Sequence, residues 1–212
     1  MSRPRVLLAD DHQMILHALA ELLGRSCDVV GLATNGHEAV VAAESLQPDI
    51  AVLDISMPQL NGFDAVHRLR QVAPDCRVIF LTVDESPATA SEALRIGAQG
   101  YVVKSAAATE LFEAIHAVRS GETWITPRIP AEQVAEAEGR GLGAGLKSLT
   151  SRQREVLQLL AEGRSMKQVG SILGITPRTV AFHKYRVMRM HGIDSTAGLV
   201  QLALREGLIA AE

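Results

Sequence analysis

The chain has 212 residues, of which 47% are hydrophobic, and a formal net charge of −3 at pH 7. This length suits one or two domains, and the composition is too apolar for an intrinsically disordered chain. No apolar stretch approaches the ~20 residues of a membrane-spanning helix, and the apolar run after Arg5 is too short for a signal peptide. We therefore expect a soluble cytoplasmic protein in which Cys27 and Cys76 are free thiols.

The charge is divided unevenly along the chain. Residues 1–122 carry 9 Lys and Arg against 16 Asp and Glu, a net charge of −7, whereas residues 148–212 carry 9 against 5, a net charge of +4. No acid lies between Glu162 and Asp194. An acidic half joined to a basic half indicates different partners for the two halves, and nucleic acid is a candidate for the second.

The first half alternates short apolar runs with segments of helical periodicity. Strands are predicted at about 5–10, 28–33, 49–54, 77–82 and 100–103. Glycines stand where three of the intervening helices would end: Gly24, Gly97 and Gly121. Strands that alternate with helices of this length indicate βαβ units. The sequence therefore predicts an α/β domain with a doubly wound, five-stranded parallel sheet.

Near residue 122 this pattern stops. The next segment contains Pro127, Pro130 and a Gly-rich stretch at 139–145, and its only periodic part is a possible short helix at 131–138. Gly-rich composition indicates a flexible tether. We predict a division into three parts: a domain at 1–122, a linker at 123–147 and a second domain at 148–212.

The basic half shows helical periodicity only. Four helices are predicted, and their ends are marked by Thr150, Gly163, Gly174, Thr176-Pro177 and Ser195. Thr at the N-cap followed by Pro at the first helical position is a strong start signal. The second domain is therefore predicted to be an all-α domain of four helices.

Polar residues close four of the predicted strands. Asp10-Asp11, Asp54, Thr82 and Lys104 each follow or end an apolar run. Each of them singly has a structural explanation, such as the capping of a following helix. In an open parallel sheet, however, the carboxyl ends of the strands line one edge, and ligands bind there. Together these residues indicate a functional site at this edge.

The chemistry of this set points to a divalent cation and a phosphoryl group. Carboxylates that lie close together repel, and all-oxygen ligands suit Mg²⁺. Asp10, Asp11 and Asp54 are the candidate metal residues, and the turn after Asp54 can bring the backbone carbonyl of Ser56 to the metal. Asp54 is then a carboxylate nucleophile able to form an aspartyl phosphate, with Lys104 and the Thr82 hydroxyl on phosphoryl oxygens.

These residues give the first half a family resemblance. Residues 1–122 resemble the receiver domain of two-component response regulators, which has a flavodoxin-like fold. The matching positions are Asp10, Asp11, Asp54, Met57, Pro58, Gly62, Thr82, Gly97, Tyr101 and Lys104. The resemblance implies phosphotransfer from a sensor histidine kinase to Asp54, Mg²⁺ near the acids and the Ser56 carbonyl, and a switch formed by Thr82 and Tyr101. Ser105 departs from the family, in which Pro often follows the Lys, and His12 is interpreted as a helix-start residue.

The third helix of the basic half has two unlike faces. At 100° per residue, one face carries Val180, Val187 and His191. The opposite face, with its flanks, carries Arg178, Ala181, Phe182, Tyr185, Arg186 and Arg189. A solvated basic helix is the simpler explanation, but outward aromatics interleaved with Arg favour a DNA groove. The preceding helix and short turn make a helix-turn-helix whose second helix enters the major groove.

Residues 148–212 resemble the LuxR-type DNA-binding domain. The match runs through Leu149-Thr150, Arg152, Glu155-Val156-Leu157, Gly163, Leu173-Gly174-Ile175, Thr179-Val180, His183 and Gly192-Ile193. Departures are Met166, Arg186 and His191. The resemblance implies base contacts from Ala181, Phe182 and Tyr185. It implies phosphate contacts from Lys167, Thr179, His183 and Lys184.

The two resemblances stand in the order found in NarL/FixJ response regulators. We predict a transcription factor and not an enzyme. We expect it to bind double-stranded promoter DNA, to form a homodimer on phosphorylation of Asp54 and to have no membrane partner. Two alternatives come from other classes. A phosphotransfer enzyme needs a substrate pocket, for which no segment remains, and a ligand-sensing LuxR-type regulator lacks the acidic constellation that this chain has.

Overall fold

The structure, a computed structural model, describes residues 2–140 and 149–209, without the side chains of residues 138–140. The chain divides into two compact units, and each is described by itself. Within the described residues, no helix is both long enough and apolar enough to cross a membrane.

The first unit is built from six strands and six helices in the described part of the chain. The strands are β1 (Arg5–Ala9), β2 (Asp28–Ala33), β3 (Ile50–Leu53), β4 (Arg77–Thr82), β5 (Gly100–Val103) and β6 (Trp124–Ile125). The helices are α1 (Gln13–Leu23), α2 (Gly36–Leu46), α3 (Gly62–Val72), α4 (Pro87–Arg95), α5 (Ala107–Ser120) and α6 (Ala131–Arg140). A 3₁₀ turn, Lys104–Ala106, joins β5 to α5.

All strand pairs of the sheet are parallel, in the order β2-β1-β3-β4-β5-β6. Alternate residues of a strand face opposite layers, so Leu7 and Val6 enter different cores. One core includes buried residues of α2, α3 and α4, and the other includes those of α1 and α5. Helices therefore cover both faces, which confirms the predicted doubly wound α/β class.

The sheet differs from the prediction at its β5 edge, where a sixth strand pairs. The backbone N–H of Trp124 donates to the Gln99 carbonyl at 2.9 Å, and that of Thr126 donates to the Tyr101 carbonyl at 2.9 Å. These bonds satisfy backbone groups that an edge strand would leave open. A strand of two residues is too short to show alternation, which is why periodicity did not reveal it.

The predicted linker differs from the structure over its first part. Residues 124–125 and 131–140 form β6 and α6, and Ile129 and Val134 are buried in a core of the first unit. Helix α6 agrees with the short helix predicted at 131–138, whereas β6 and the burial of Ile129 were not predicted. Residues 141–148, with most of the Gly-rich stretch, lie outside the described residues, and the domain boundaries at 122 and 148 stay a prediction.

The second unit consists of four helices in its described part: α7 (Ser151–Ala161), α8 (Met166–Leu173), α9 (Pro177–His191) and α10 (Thr196–Arg205). Thr150 and Ser165 begin α7 and α8 with reciprocal capping boxes to Gln153 and Gln168. Apolar residues from all four helices fill two small cores. The predicted all-α class of this half is confirmed.

Candidate functional site

The parallel sheet brings the polar strand ends to one edge. Asp10 follows β1, Asp54 follows β3, Thr82 is the last residue of β4, and Lys104 follows β5. These four strands are neighbours in the order β1-β3-β4-β5. The placement that the sequence analysis expected for these four residues is therefore observed.

The ammonium group of Lys104 joins two buried carboxylates. Its Nζ lies 2.6 Å from Oδ2 of Asp10 and 2.9 Å from Oδ2 of Asp54. Asp10 is only 2% exposed and Asp54 only 5% exposed. Two carboxylates this deeply buried repel each other, and the ammonium offsets that repulsion. The site thus holds two negative charges against one positive charge.

Burial dominates the ionisation of Asp54. The loss of hydration raises the pKa of its carboxyl above the ordinary value; Lys104 opposes that rise, and Asp10 adds to it. For Lys104, burial alone would lower the pKa of the ammonium, but Asp54 and Asp10 outweigh burial and raise it. Lys104 therefore stays charged at neutral pH, and the proton balance of the site depends on the carboxyl groups.

Asp11 and His12 form the outer part of the acidic site. The Asp11 side chain is 32% exposed, and its Oδ1 lies 2.8 Å from Nδ1 of His12. Nδ1 of His12 is also 3.2 Å from Oδ1 of Asp10, to which the His12 backbone N–H donates at 2.9 Å. His12 is the N-cap of α1, as interpreted from the sequence, but its side chain makes no capping bond. The sequence alone did not indicate the contact of His12 with both acids.

The donor set suits a hard divalent cation. Oδ2 of Asp10 is buried and, apart from its ion pair with Lys104, accepts no hydrogen bond of ordinary geometry from the described residues. Ligand atoms of Asp10, Asp11 and His12 lie within 4.8 Å of one another. Carboxylate oxygens are preferred ligands of Mg²⁺, so the residues present fit this ion. The Ser56 backbone N–H donates to the Asp54 carboxylate, while a role for the Ser56 carbonyl stays a prediction.

Gly62 lets the turn after Asp54 pack closely against the strand end. A Cβ at position 62 would clash with the Asp54 backbone carbonyl and approach the Phe80 ring to 2.9 Å. The Gly62 N–H donates to the Ile55 carbonyl at 2.8 Å. A side chain at this position would therefore displace the segment that carries Asp54.

Thr82 and Tyr101 both contact Asp84. Oγ1 of Thr82 accepts a hydrogen bond from the Asp84 N–H at 3.2 Å, and the Tyr101 hydroxyl donates to the Asp84 carbonyl at 2.9 Å. The Tyr101 ring is fully buried, and burial raises the pKa of its hydroxyl, so it stays a protonated donor. Asp84 was not among the residues predicted for the site, although acids before Ser86-Pro87 are a helix-start signal. The switch role of Thr82 and Tyr101 stays a prediction.

Helix α9 has the two faces that its sequence predicts. Val180 and Val187 are buried, whereas Phe182 and Tyr185 are each 58% exposed. The other predicted DNA-contact residues are exposed or half-buried: Lys167, Arg178, Thr179, Ala181, His183, Lys184, Arg186 and Arg189. Each of them is therefore accessible to a ligand, and their contacts with DNA stay predictions.

Two ring contacts organise the accessible face of α9. The Lys184 Nζ lies 5.8 Å from the centre of the Tyr185 ring, and the Phe182 and His183 rings meet edge to face at 5.4 Å. Burial lowers the pKa of His183, and Arg152 and Arg186 lower it further. These effects favour the neutral form of His183 at neutral pH.

Both units match known protein families. Residues 6–116 match the family described as "Response regulator receiver domain", and residues 147–203 match "Bacterial regulatory proteins, luxR family". The chain is 32% identical over 208 residues to the transcriptional regulatory protein MctR of Rhizobium johnstonii, covering 97% of this chain and 95% of that protein. It is 30% identical over 211 residues to the response regulator UvrY of Escherichia coli, covering 98% and 96%.

Solved structures resemble the chain over both units or over one. RcsB from Salmonella enterica serovar Typhimurium, bound to promoter P1flhDC in the presence of the phosphomimetic BeF₃⁻, is 26% identical with a TM-score of 0.65. That match covers 95% of this chain and 98% of the other. A LuxR-family response regulator from Aurantimonas sp. SI85-9A1 is 34% identical with a TM-score of 0.60, covering 64% of this chain and 97% of the other.

Proposed function

This chain belongs to the two-component response regulators of the NarL/FixJ family, and from that membership we propose that Asp54 is its phosphoacceptor and that a sensor histidine kinase is the donor. The protein acts as a transcription factor, as the sequence predicted. One observation carries the proposal about Asp54: a buried carboxylate at the sheet edge has the Lys104 ammonium 2.9 Å away.

Phosphotransfer at this site uses Asp54 as the nucleophile. A carboxylate oxygen forms a bond to phosphorus while the bond from phosphorus to the donor's histidine nitrogen breaks, and the electron pair of that bond stays on nitrogen. Lys104 exchanges its contact with Asp54 for one with a phosphoryl oxygen, and the Thr82 hydroxyl donates to another. Burial excludes water from the carboxyl group, which favours the acyl phosphate over hydrolysis.

Asp10, Asp11, Asp54 and the Ser56 carbonyl are the groups that would hold Mg²⁺. When bound, this ion supplies positive charge that neutralises oxygens of the transferred group. The two buried carboxylates and their single ammonium leave a net negative charge, so an incoming phosphoryl group needs this further cation.

The basic unit is proposed to bind promoter DNA through α9. Exposed Phe182 and Tyr185, with Ala181 beside them, suit base edges and methyl groups in a major groove. The exposed or half-buried basic residues suit phosphates: Lys167, Arg178, Lys184, Arg186 and Arg189. Phosphorylation then promotes a homodimer whose two basic units read two half-sites. The output is DNA binding and not turnover of a small-molecule substrate.

Mass spectrometry after treatment with Mg²⁺ and a small phosphodonor tests the phosphoacceptor assignment. The intact protein is expected to gain one phosphoryl group, and Asp54→Asn is expected to gain none. Asp75→Asn is the matched control, because Asp75 is an exposed aspartate outside the site. Full labelling of the Asp54→Asn protein would rule out the assignment.

A further inference from the structure

Asp84, in the loop between β4 and α4, makes hydrogen bonds both to residues of the sheet and to residues at the start of α4. Its N–H donates to Thr82 Oγ1 at 3.2 Å, and its carbonyl accepts from the Tyr101 hydroxyl at 2.9 Å. Its carboxylate accepts from the Ser86 N–H at 2.7 Å and from the Thr89 hydroxyl at 2.6 Å. The first two partners belong to the sheet, and the last two belong to the start of α4. Asp84 therefore links the sheet edge to the first turn of α4.

Asp84 supplies the side-chain cap that α4 otherwise lacks. Ser86 stands at the N-cap position, but its own side chain makes no capping bond. The Asp84 carboxylate lies at the positive end of the α4 dipole. It stabilises the first turn of the helix, although Asp84 itself precedes the helix. A shift of Asp84 would therefore shift the start of α4.

Helix α6 packs against α4. Ile129, just before α6, and Val134, within it, are 3% and 5% exposed. They belong to the same apolar core as Ala90 and Ala93 of α4, which are fully buried. Because the side chains of α4 at this contact are small, the two helices pack closely. A displacement of α4 is therefore expected to displace α6 as well.

Arg128, in the segment before α6, contacts two loops of the site. Its Nη1 lies 3.7 Å from Oε1 of Glu85, next to Asp84, and 3.2 Å from Oγ of Ser105, next to Lys104. These groups are exposed, so their contacts contribute little energy. They show that the segment lies over both loops, while Ile129 and Val134 provide the packing.

We propose that Asp84 is a positioning residue that couples Thr82 to α4 and, through α4, to α6. The proposal rests on the proposed function, since a phosphoryl group on Asp54 is its input. In this proposal Thr82 turns so that its hydroxyl donates to a phosphoryl oxygen, and its Oγ1 then leaves the Asp84 N–H without an acceptor. The loop shifts, the cap on α4 weakens, and α6 loosens. In the sequence, α6 leads into the residues that join the DNA-binding unit.

Hydrogen–deuterium exchange on the full-length protein tests this coupling. Mg²⁺ with beryllofluoride serves as the stand-in for the phosphoryl group. Exchange in residues 131–140 is expected to rise roughly 5-fold or more, as for a typical coupling between sites. Exchange in α2, which lies apart from this contact, is expected to stay unchanged.

Substitutions at Asp84 test the same step without any phosphodonor. Asp84→Ala is expected to speed exchange in α6. Asp84→Asn keeps a carbonyl oxygen for the Ser86 N–H but loses the negative charge at the start of α4, so its exchange is expected to lie between those of the wild type and Asp84→Ala. Thr89→Val removes a single bond of the cap and should give an intermediate effect. Asp75→Ala is the matched control, and near-UV circular dichroism verifies that each variant is folded.

The outcomes separate this coupling from the proposed function. Wild-type exchange in α6 of folded Asp84→Ala and Thr89→Val proteins would overturn the coupling. So would unchanged α6 exchange in a wild-type protein that carries the phosphoryl group on Asp54 by mass. If Asp54 takes no phosphoryl group, the phosphoacceptor assignment falls, and the Asp84→Ala result then decides by itself whether Asp84 controls α6.

Discussion

At the scale of single residues, the buried carboxyl group of Asp54 lowers the stability of the folded state when it is ionised. Its folded-state pKa lies above the unfolded value because burial removes hydration. Such a group favours the folded state below its unfolded pKa and loses that contribution as pH rises through the folded pKa. We predict that Asp54→Asn, which cannot ionise, melts at a higher temperature than the wild type at neutral pH. The gap should close below pH ~4, where Asp54 is protonated in both states.

Thermal melting of both proteins across this pH range, in the presence of a metal chelator, is the measurement. Asp75→Asn provides the control for a general effect of removing an acidic charge, because Asp75 is exposed. A gap of the same size at all pH values would contradict the explanation from burial.

Lys104 has the opposite effect on stability. Lys104→Met leaves the Asp10 and Asp54 carboxylates buried without their ammonium. Breaking a buried ion pair by removing one partner costs roughly 3–5 kcal/mol, so the melting temperature should fall at neutral pH. Mg²⁺ should recover more stability in this variant than in the wild type, because it replaces the missing positive charge. Equal effects of Mg²⁺ on both proteins, by calorimetry, would count against an oxygen-ligand site here.

Among the elements, β6 and α6 complete the sheet unit. Ile129 and Val134 each bury an apolar side chain, which contributes about 1.5–3 kcal/mol at full burial. A fragment of residues 1–122 should therefore be less stable than a fragment of residues 1–140 by a few kcal/mol. Urea unfolding of the two fragments measures the difference. Equal unfolding midpoints and slopes would show that the added segment contributes nothing.

Different residues of helix α9 are predicted to contact the bases and the phosphates of DNA. Tyr185→Ala and Phe182→Ala remove aromatic rings that are each 58% exposed, so stability should change little while sequence preference changes. Lys184→Ala should weaken binding to all sequences alike, because a phosphate contact carries no sequence information. A DNA-selection experiment with the three variants separates these effects, and an unchanged preference in both aromatic variants would contradict base reading.

For the whole molecule, phosphorylation is expected to raise DNA affinity through self-association. Two basic units on one DNA add avidity to contacts that are singly weak. A typical coupling would raise affinity roughly 5- to 150-fold. If Lys167, Lys184, Arg186 and Arg189 each reach a phosphate, the log–log salt slope should be about −3.6 per monomer.

Sedimentation and promoter binding, with and without a phosphodonor, measure this coupling. Asp54→Asn is the control that cannot be phosphorylated on this residue. Equal mass and equal affinity in all samples would refute the coupling, even where Asp54 is phosphorylated.

Local signals in the sequence determined most of the element boundaries and the placement of the main site residues. Apolar runs that close on Asp10, Asp54, Thr82 and Lys104 fix the strand ends, and parallel pairing brings those ends together whatever the details of packing. In the basic half, capping residues and a 3.6-residue period defined four helices, because both signals lie within a few adjacent residues.

Only the tertiary structure decided what depends on contacts between distant segments. Pairing with β5 makes Trp124–Ile125 a strand, and a two-residue strand has no periodicity of its own. Local periodicity indicated a short helix at 131–138, but its position against α4 depends on packing between segments that are distant in the sequence. Asp84 looks like an ordinary loop acid until Tyr101, 17 residues away, is seen to donate to its carbonyl. Backbone acceptors of this kind carry no side-chain signal, so their partners are known only once the chain is folded.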